Sequence, residues 1–124
     1  MADESRFTLG ARTRSFRYAW RGVRAMLASQ HNAWVHATAS VAACVLGVVF
    51  GISLAEWCAV VLAIVTVWTA EALNTAFEFL CDVAAPEFHP LVAKAKDVAA
   101  GAVLIAASGA LAVGLLVFGS HLVD

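Results

Sequence analysis

The sequence predicts an all-α membrane protein, with an amphipathic helix on the bilayer surface followed by three membrane-spanning helices. The 124-residue chain is 62% hydrophobic and 14% charged, at a mean hydropathy of +0.83. A soluble domain of this size has too little interior to hide so much apolar surface. Two long runs carry no charged side chain, and crossing a hydrocarbon core of about 30 Å takes about 20 apolar residues. The positive charges are confined to two short segments. These observations exclude an ordinary cytosolic enzyme, and 8 Lys+Arg against 9 Asp+Glu leave no basic excess for nucleic acid.

The chain divides into a surface segment, 1–29, and a three-span unit, 30–124. In the first segment, Phe16, Ala19, Trp20, Val23, Met26 and Leu27 recur at spacings of three and four, with Arg14, Arg17, Arg21 and Arg24 on the opposite side of the helical wheel. Such a helix lies in the interface, apolar side toward acyl chains and arginines toward lipid phosphates. Ala25 to Ala55 is uncharged and holds the first span, at about 32–50; the short Phe50-Gly51-Ile52-Ser53 connection is a tight reversal. The second span, about 54–80, is mostly apolar but interrupted by Glu71, Asn74 and Glu78, with Asp82 just beyond. A polar loop from Ala84 to Lys94 contains Pro86, Glu87, His89 and Pro90, and the last span covers about 94–118.

Of the eight positive charges, Arg6, Arg12, Arg14, Arg17, Arg21 and Arg24 precede the first span, and Lys94 and Lys96 stand at the start of the last, before its uncharged run from Val98. The positive-inside rule then sets the N-terminus and the Pro86 loop in the cytoplasm and the C-terminus outside. The first strongly apolar run begins too late for a cleaved signal peptide. Cys44, Cys58 and Cys81 stand singly in apolar runs and read as small core hydrophobes. Trp34, Trp57 and Phe118 near span ends read as interfacial anchors, Trp68 as a mid-helix residue packed on a neighbouring helix or on lipid, and His121 as an exposed tail residue. His31 and His36 read as capping or interface residues without a catalytic role.

Chemistry concentrates in the second span. Glu71, Asn74, Glu78 and Asp82 follow intervals of three, four and four, so they form one narrow polar stripe with Thr75 beside it. Counting inward from Trp57 at 1.5 Å per residue, Glu71 lies about 21 Å along the helix, near the inner boundary of the core. Carboxylates at that depth are costly unless they pair, hold a cation or move protons. Lys94 and Asp97 open the last helix at the same depth, and Gly101 and Ser108 continue its face as small residues. Two lysines cannot neutralise Glu71, Glu78, Asp82, Glu87 and Asp97, and the surplus invites a hard cation such as Mg²⁺, which takes a few carboxylates plus water and phosphate oxygens. No Walker-type or Rossmann glycine pattern occurs, so a nucleotide is not held in a standard phosphate loop.

Glu71-Ala-Leu-Asn74-Thr-Ala-Phe-Glu78, then Asp82, Pro86-Glu87-Phe88-His89-Pro90 and Lys94-Ala-Lys96-Asp97-Val-Ala-Ala-Gly101 together resemble the signature of the small bacterial integral-membrane lipid kinases, the diacylglycerol and undecaprenol kinases. The resemblance runs from Ser15 to about Phe118 and includes Tyr18, Gly22, Arg24 and the Asn32 to His36 stretch. It implies a homotrimer with active sites shared between subunits at the inner surface of the bacterial cytoplasmic membrane. It also implies MgATP-dependent phosphorylation of a lipid hydroxyl. By the same resemblance, Glu71 falls on the catalytic carboxylate and Glu78 on a Mg²⁺-coordinating glutamate that also contacts ATP. Tyr18, Glu87, Phe88, His89, Lys96 and Asp97 fall on ATP-binding positions, with Asn74 and Asp82 lining the site. The family often carries a second metal-coordinating glutamate where this chain has Gln30. An amide still offers one oxygen to a cation, but without the charge.

Within the family, the Pro86 to Pro90 loop and the run from Lys96 look more like the undecaprenol branch than the diacylglycerol branch. An oligomeric ion- or proton-conducting protein using the same carboxylates is the alternative from another class, and a structural subunit a further one. Conduction predicts acidic residues through the whole membrane thickness, and the outer halves of the spans carry only Glu56, at the rim.

Overall fold

The computed structural model describes residues 7–123, and Arg6 of the sequence analysis lies outside them. Four helices follow one another with short connections: α1 (Leu9–Ser29), α2 (His31–Phe50), α3 (Leu54–Ala84) and α4 (Pro90–Val123). No strand occurs among the described residues. The last three are each long and apolar enough to cross a membrane. α3 and α4 make the most extensive pairing, α2 leans on both, and α1 touches α2 and α3.

Local chemistry sets each boundary. Thr8 caps α1 by accepting from the Ala11 amide at 3.1 Å. Gln30 is the hinge between α1 and α2: its backbone is extended, at φ −113° and ψ 117°, and its N–H still donates to the Met26 carbonyl at 3.0 Å. The reversal after α2 is a Schellman turn, in which Gly51 takes the left-handed conformation at φ 62°. The Gly51 and Ile52 amides donate back to the Val48 and Gly47 carbonyls at 3.2 and 3.1 Å. α3 then opens on a reciprocal capping box between Ser53 and Glu56, at 3.2 Å and 3.1 Å.

The helices extend beyond the expected spans, and the connecting loop is shorter than expected. α3 has 31 residues and α4 has 34, or about 46 and 51 Å at 1.5 Å per residue, against a core of about 30 Å. Both therefore outrun the spans 54–80 and 94–118. The loop is also shorter than Ala84 to Lys94: the non-helical residues are 85–89. Ala85 leaves the helix because the following proline disfavours helical backbone there, whereas Pro90 suits the first turn of α4, where no N–H is needed. The His89 ring accepts from the Leu91 amide at 3.2 Å and covers one of the orphan donors of that turn.

At the Gly51 end, Ile52, Val60 and Val117 form the buried cluster, with Phe50, Trp57 and Phe118 packed on it. Trp57, read as an interfacial anchor, also packs against α2 at Gly47, where an added Cβ would stand 2.6 Å from the indole. His121 is not a free tail residue: its Nε2 meets Glu56 at 2.9 Å and its ring stacks on Phe50 at 6.0 Å. Of the cysteines only Cys81 is buried; Cys44 and Cys58 face outward from the chain. In α1, Met26 is buried while Phe16, Trp20 and Val23 remain exposed.

Candidate active site

The polar stripe of α3 turns inward. Glu71, Asn74 and Thr75 are the buried polar residues among those described, Glu78 is half-buried and Asp82 is exposed. Helical spacing explains the grouping, since 71, 74, 75 and 78 fall on one face, and that face meets Gln30 at the α1–α2 junction and His36 on α2.

Glu71 is the most enclosed, with 1% of its surface exposed. Its Oε2 lies 3.1 Å from Nε2 of His36 on α2, while Oε1 is buried without a hydrogen-bond partner. The Thr75 hydroxyl donates to the Glu71 carbonyl at 2.8 Å, which keeps that hydroxyl off the carboxylate. His36 is held in turn. Its ring meets Trp68 edge-on at 6.1 Å; the Trp68 indole N–H donates to the Ser40 hydroxyl at 3.0 Å; and Ser40 donates to the His36 carbonyl at 2.7 Å. Trp68 thus packs on α2 as expected. His36 was read as having no part in the site, and the structure sets it against the central carboxylate.

About two turns further along α3, the Glu78 carboxylate accepts from two amides. Gln30 Nε2 donates to Oε2 at 2.7 Å, and Asn74 Nδ2 donates to Oε1 at 3.2 Å. Gln30 reaches Glu78 because it is the extended residue between α1 and α2, so the α1–α2 corner closes over this part of the stripe. The buried Asn74 Oδ1 has no partner. Among the described residues, no Lys or Arg stands within ion-pair distance of Glu71 or Glu78, and no three His, Cys, Asp or Glu side chains converge. Both amides turn N–H groups toward Glu78, and the buried Asn74 Oδ1 is unpartnered; one carboxylate with amides that offer an oxygen once turned over is a donor set that fits a Mg²⁺ ion completed by water and phosphate oxygens. It does not fit a cation enclosed by protein alone.

Among the described residues, the remaining candidates are not joined to this centre by polar contacts. Lys96 reaches Asp82 at 3.4 Å, and both side chains are solvent-exposed, which makes the pair worth little in energy. Tyr18 is exposed beneath the Arg21 guanidinium, at 5.4 Å from its ring. Glu87, Phe88, His89 and Asp97 are exposed. Among the described residues, no hydrogen bond or ion pair joins Tyr18, Glu87, Phe88, His89 or Asp97 to Glu71 or Glu78.

Comparison with known proteins shows the family. The sequence model of the family described as prokaryotic diacylglycerol kinase matches residues 17–118, most of the chain. An undecaprenol kinase from Bacillus subtilis is 37% identical over 105 residues, covering 85% of either chain. A diacylglycerol kinase from Synechocystis is 41% identical over 106 residues, covering 81% of this chain and 58% of that protein.

Proposed function

The chain belongs to the prokaryotic diacylglycerol kinase family and is a lipid kinase, and from that premise we propose that it transfers the γ-phosphate of ATP to undecaprenol at the cytoplasmic face of the bacterial inner membrane. The observation that carries the reading is Glu71: a buried carboxylate with one oxygen beside His36 and the other without a partner. A lipid hydroxyl is the donor such an oxygen accepts. In the proposed reaction the hydroxyl proton passes to Glu71 Oε1 as the lipid oxygen bonds to the γ-phosphorus, the bond from that phosphorus to the bridging oxygen of ADP breaks, and ADP departs. General-base assistance of this kind contributes about 10²- to 10⁴-fold.

Glu78, with Gln30 and Asn74, would hold Mg²⁺; when bound, the ion neutralises charge on the phosphates. Tyr18, Glu87, Phe88, His89, Lys96 and Asp97 bind the nucleotide, and Asp82 lines the approach to it. The family resemblance supports a homotrimer with the complete site formed between neighbouring subunits; among the described residues, Tyr18, Glu87, Phe88, His89 and Asp97 make no polar contact with the acidic centre of their own chain. α1 lies along the membrane surface with Phe16, Trp20 and Val23 toward the acyl chains. The arginines of α1 and the lysines of α4 keep the N-terminus and the Pro86 loop in the cytoplasm, with the C-terminus outside.

Undecaprenol is preferred to diacylglycerol because the similarity to the B. subtilis undecaprenol kinase spans 85% of that protein, against 58% for the Synechocystis diacylglycerol kinase. The test is transfer of labelled γ-phosphate from MgATP to each lipid, presented separately in mixed micelles, with Glu71→Gln as the blank. Labelling of undecaprenol that disappears in the blank is expected. Labelling of diacylglycerol alone reassigns the substrate, and labelling that persists in the blank removes Glu71 from the base role.

A further inference from the structure

We infer that His36 is a positioning residue for Glu71, an inference that rests on the reading of Glu71 as the catalytic base. The two side chains come from different helices, 35 residues apart in sequence, and meet at 3.1 Å. Both are sequestered, at 14% and 1% side-chain exposure. With Glu71 ionised, the Nε2–H tautomer of His36 donates to Oε2. That single bond distinguishes the two carboxylate oxygens: Oε2 is engaged, and Oε1 is left as the acceptor for the lipid hydroxyl.

A glutamate in a helix has several rotamers, and only a few turn its carboxylate toward one point on a neighbouring helix. The contact to α2 selects among them, so the acceptor waits in one orientation before substrate arrives. The histidine is itself supported, by the edge of Trp68 against its ring and by Ser40, which links the Trp68 N–H to the His36 carbonyl. Packing alone would call for a ring at position 36. Orienting the carboxylate calls for a donor at the place of Nε2, and the two requirements can be separated by substitution.

His36→Phe keeps a ring against Trp68 and removes the donor. His36→Gln removes the ring but sets an amide nitrogen the same number of bonds from Cα as Nε2. Kinase activity of the full-length purified proteins is measured with undecaprenol and MgATP both saturating, together with KM for each. His36→Phe is expected to lose kcat by up to about 100-fold, with KM for both substrates near the wild-type values, and His36→Gln to recover most of that loss. Should His36→Phe fail to assemble, His36→Asn, whose amide falls one bond short, serves as the variant lacking a donor in reach. Retention of kcat by His36→Phe, or a loss in His36→Gln as large as in the variant without the donor, overturns the inference while leaving Glu71 as the base. Undiminished labelling by Glu71→Gln overturns the base assignment and, with it, the inference.

Discussion

Gln30 and Glu78 meet at 2.7 Å, amide nitrogen to carboxylate oxygen, and this pair decides how the centre responds to a cation. A glutamate at position 30 would bring a second carboxylate to that oxygen. Two like charges at about 4 Å repel by about 4 kcal/mol at an effective dielectric near 20, and a divalent cation between them reverses the sign. Gln30→Glu is therefore expected to lower the melting temperature in chelator, to make it rise steeply with Mg²⁺, and to reduce the Mg²⁺ concentration that half-saturates activity. A melting temperature indifferent to Mg²⁺ would show that positions 30 and 78 do not share an ion. The stripe that contains Glu78 is legible in the sequence because helical period alone puts 71, 74 and 78 on one face. The partners of that stripe are not. Nothing in the local pattern around His36 or His121 tells which turn of another helix faces it, so the sequence assigns neither a carboxylate partner, whereas each contacts one on α3. Gln30 was found through the family resemblance, and its reach to Glu78 depends on an extended hinge that periodicity does not reveal.

The helices meet where side chains shrink. Gly47 on α2 lies under the Trp57 indole of α3, and an alanine Cβ there would stand 2.6 Å from the ring. Gly47→Ala should therefore push α2 away from α3 and destabilise the fold by about 1–3 kcal/mol, the usual cost of overpacking. Thermal unfolding in detergent micelles measures it, and Trp57→Leu in the same chain should restore part of the loss by making room. A loss unchanged by Trp57→Leu would mean that the glycine matters for a reason other than this contact. The same displacement travels along α2 toward His36, about three turns away, so the variant should also lose kinase activity in proportion as the His36–Glu71 contact opens. Element boundaries show the same division between local and distant causes. The Gly51 reversal is visible in sequence as a short interruption between apolar runs. The start of α4 is harder to see, because Pro90 in a polar stretch reads as loop although proline is well suited to the first turn of a helix.

Taken alone, the chain is a poor object for water: Leu54, Ile105 and Leu116 each expose three-quarters or more of their surface, while the buried apolar cluster reduces to Ile52, Val60 and Val117. Bilayer lipid and, in the proposed trimer, neighbouring subunits would cover what the single chain leaves open. The proposed site residues divide in the same way. Gln30, His36, Glu71, Asn74 and Glu78 assemble within one chain, whereas Tyr18, Glu87, Phe88, His89 and Asp97 make no polar contact with them among the described residues. If the second group serves the acidic centre of a neighbouring subunit, two inactive variants should complement each other. Glu71→Gln disables the centre and keeps the nucleotide side chains; Asp97→Asn does the reverse. In a trimer assembled from an equal mixture, a site needs an intact centre on one subunit and an intact nucleotide side on its neighbour, each present with a chance of one half. The mixture should then recover about a quarter of wild-type activity, because cyclic symmetry gives every subunit one neighbour in that relation. A site complete within each chain predicts no recovery at any mixing ratio, since every chain carries one defect. Co-refolding the two purified variants from denaturant into micelles, and assaying against each variant refolded alone, separates the two outcomes.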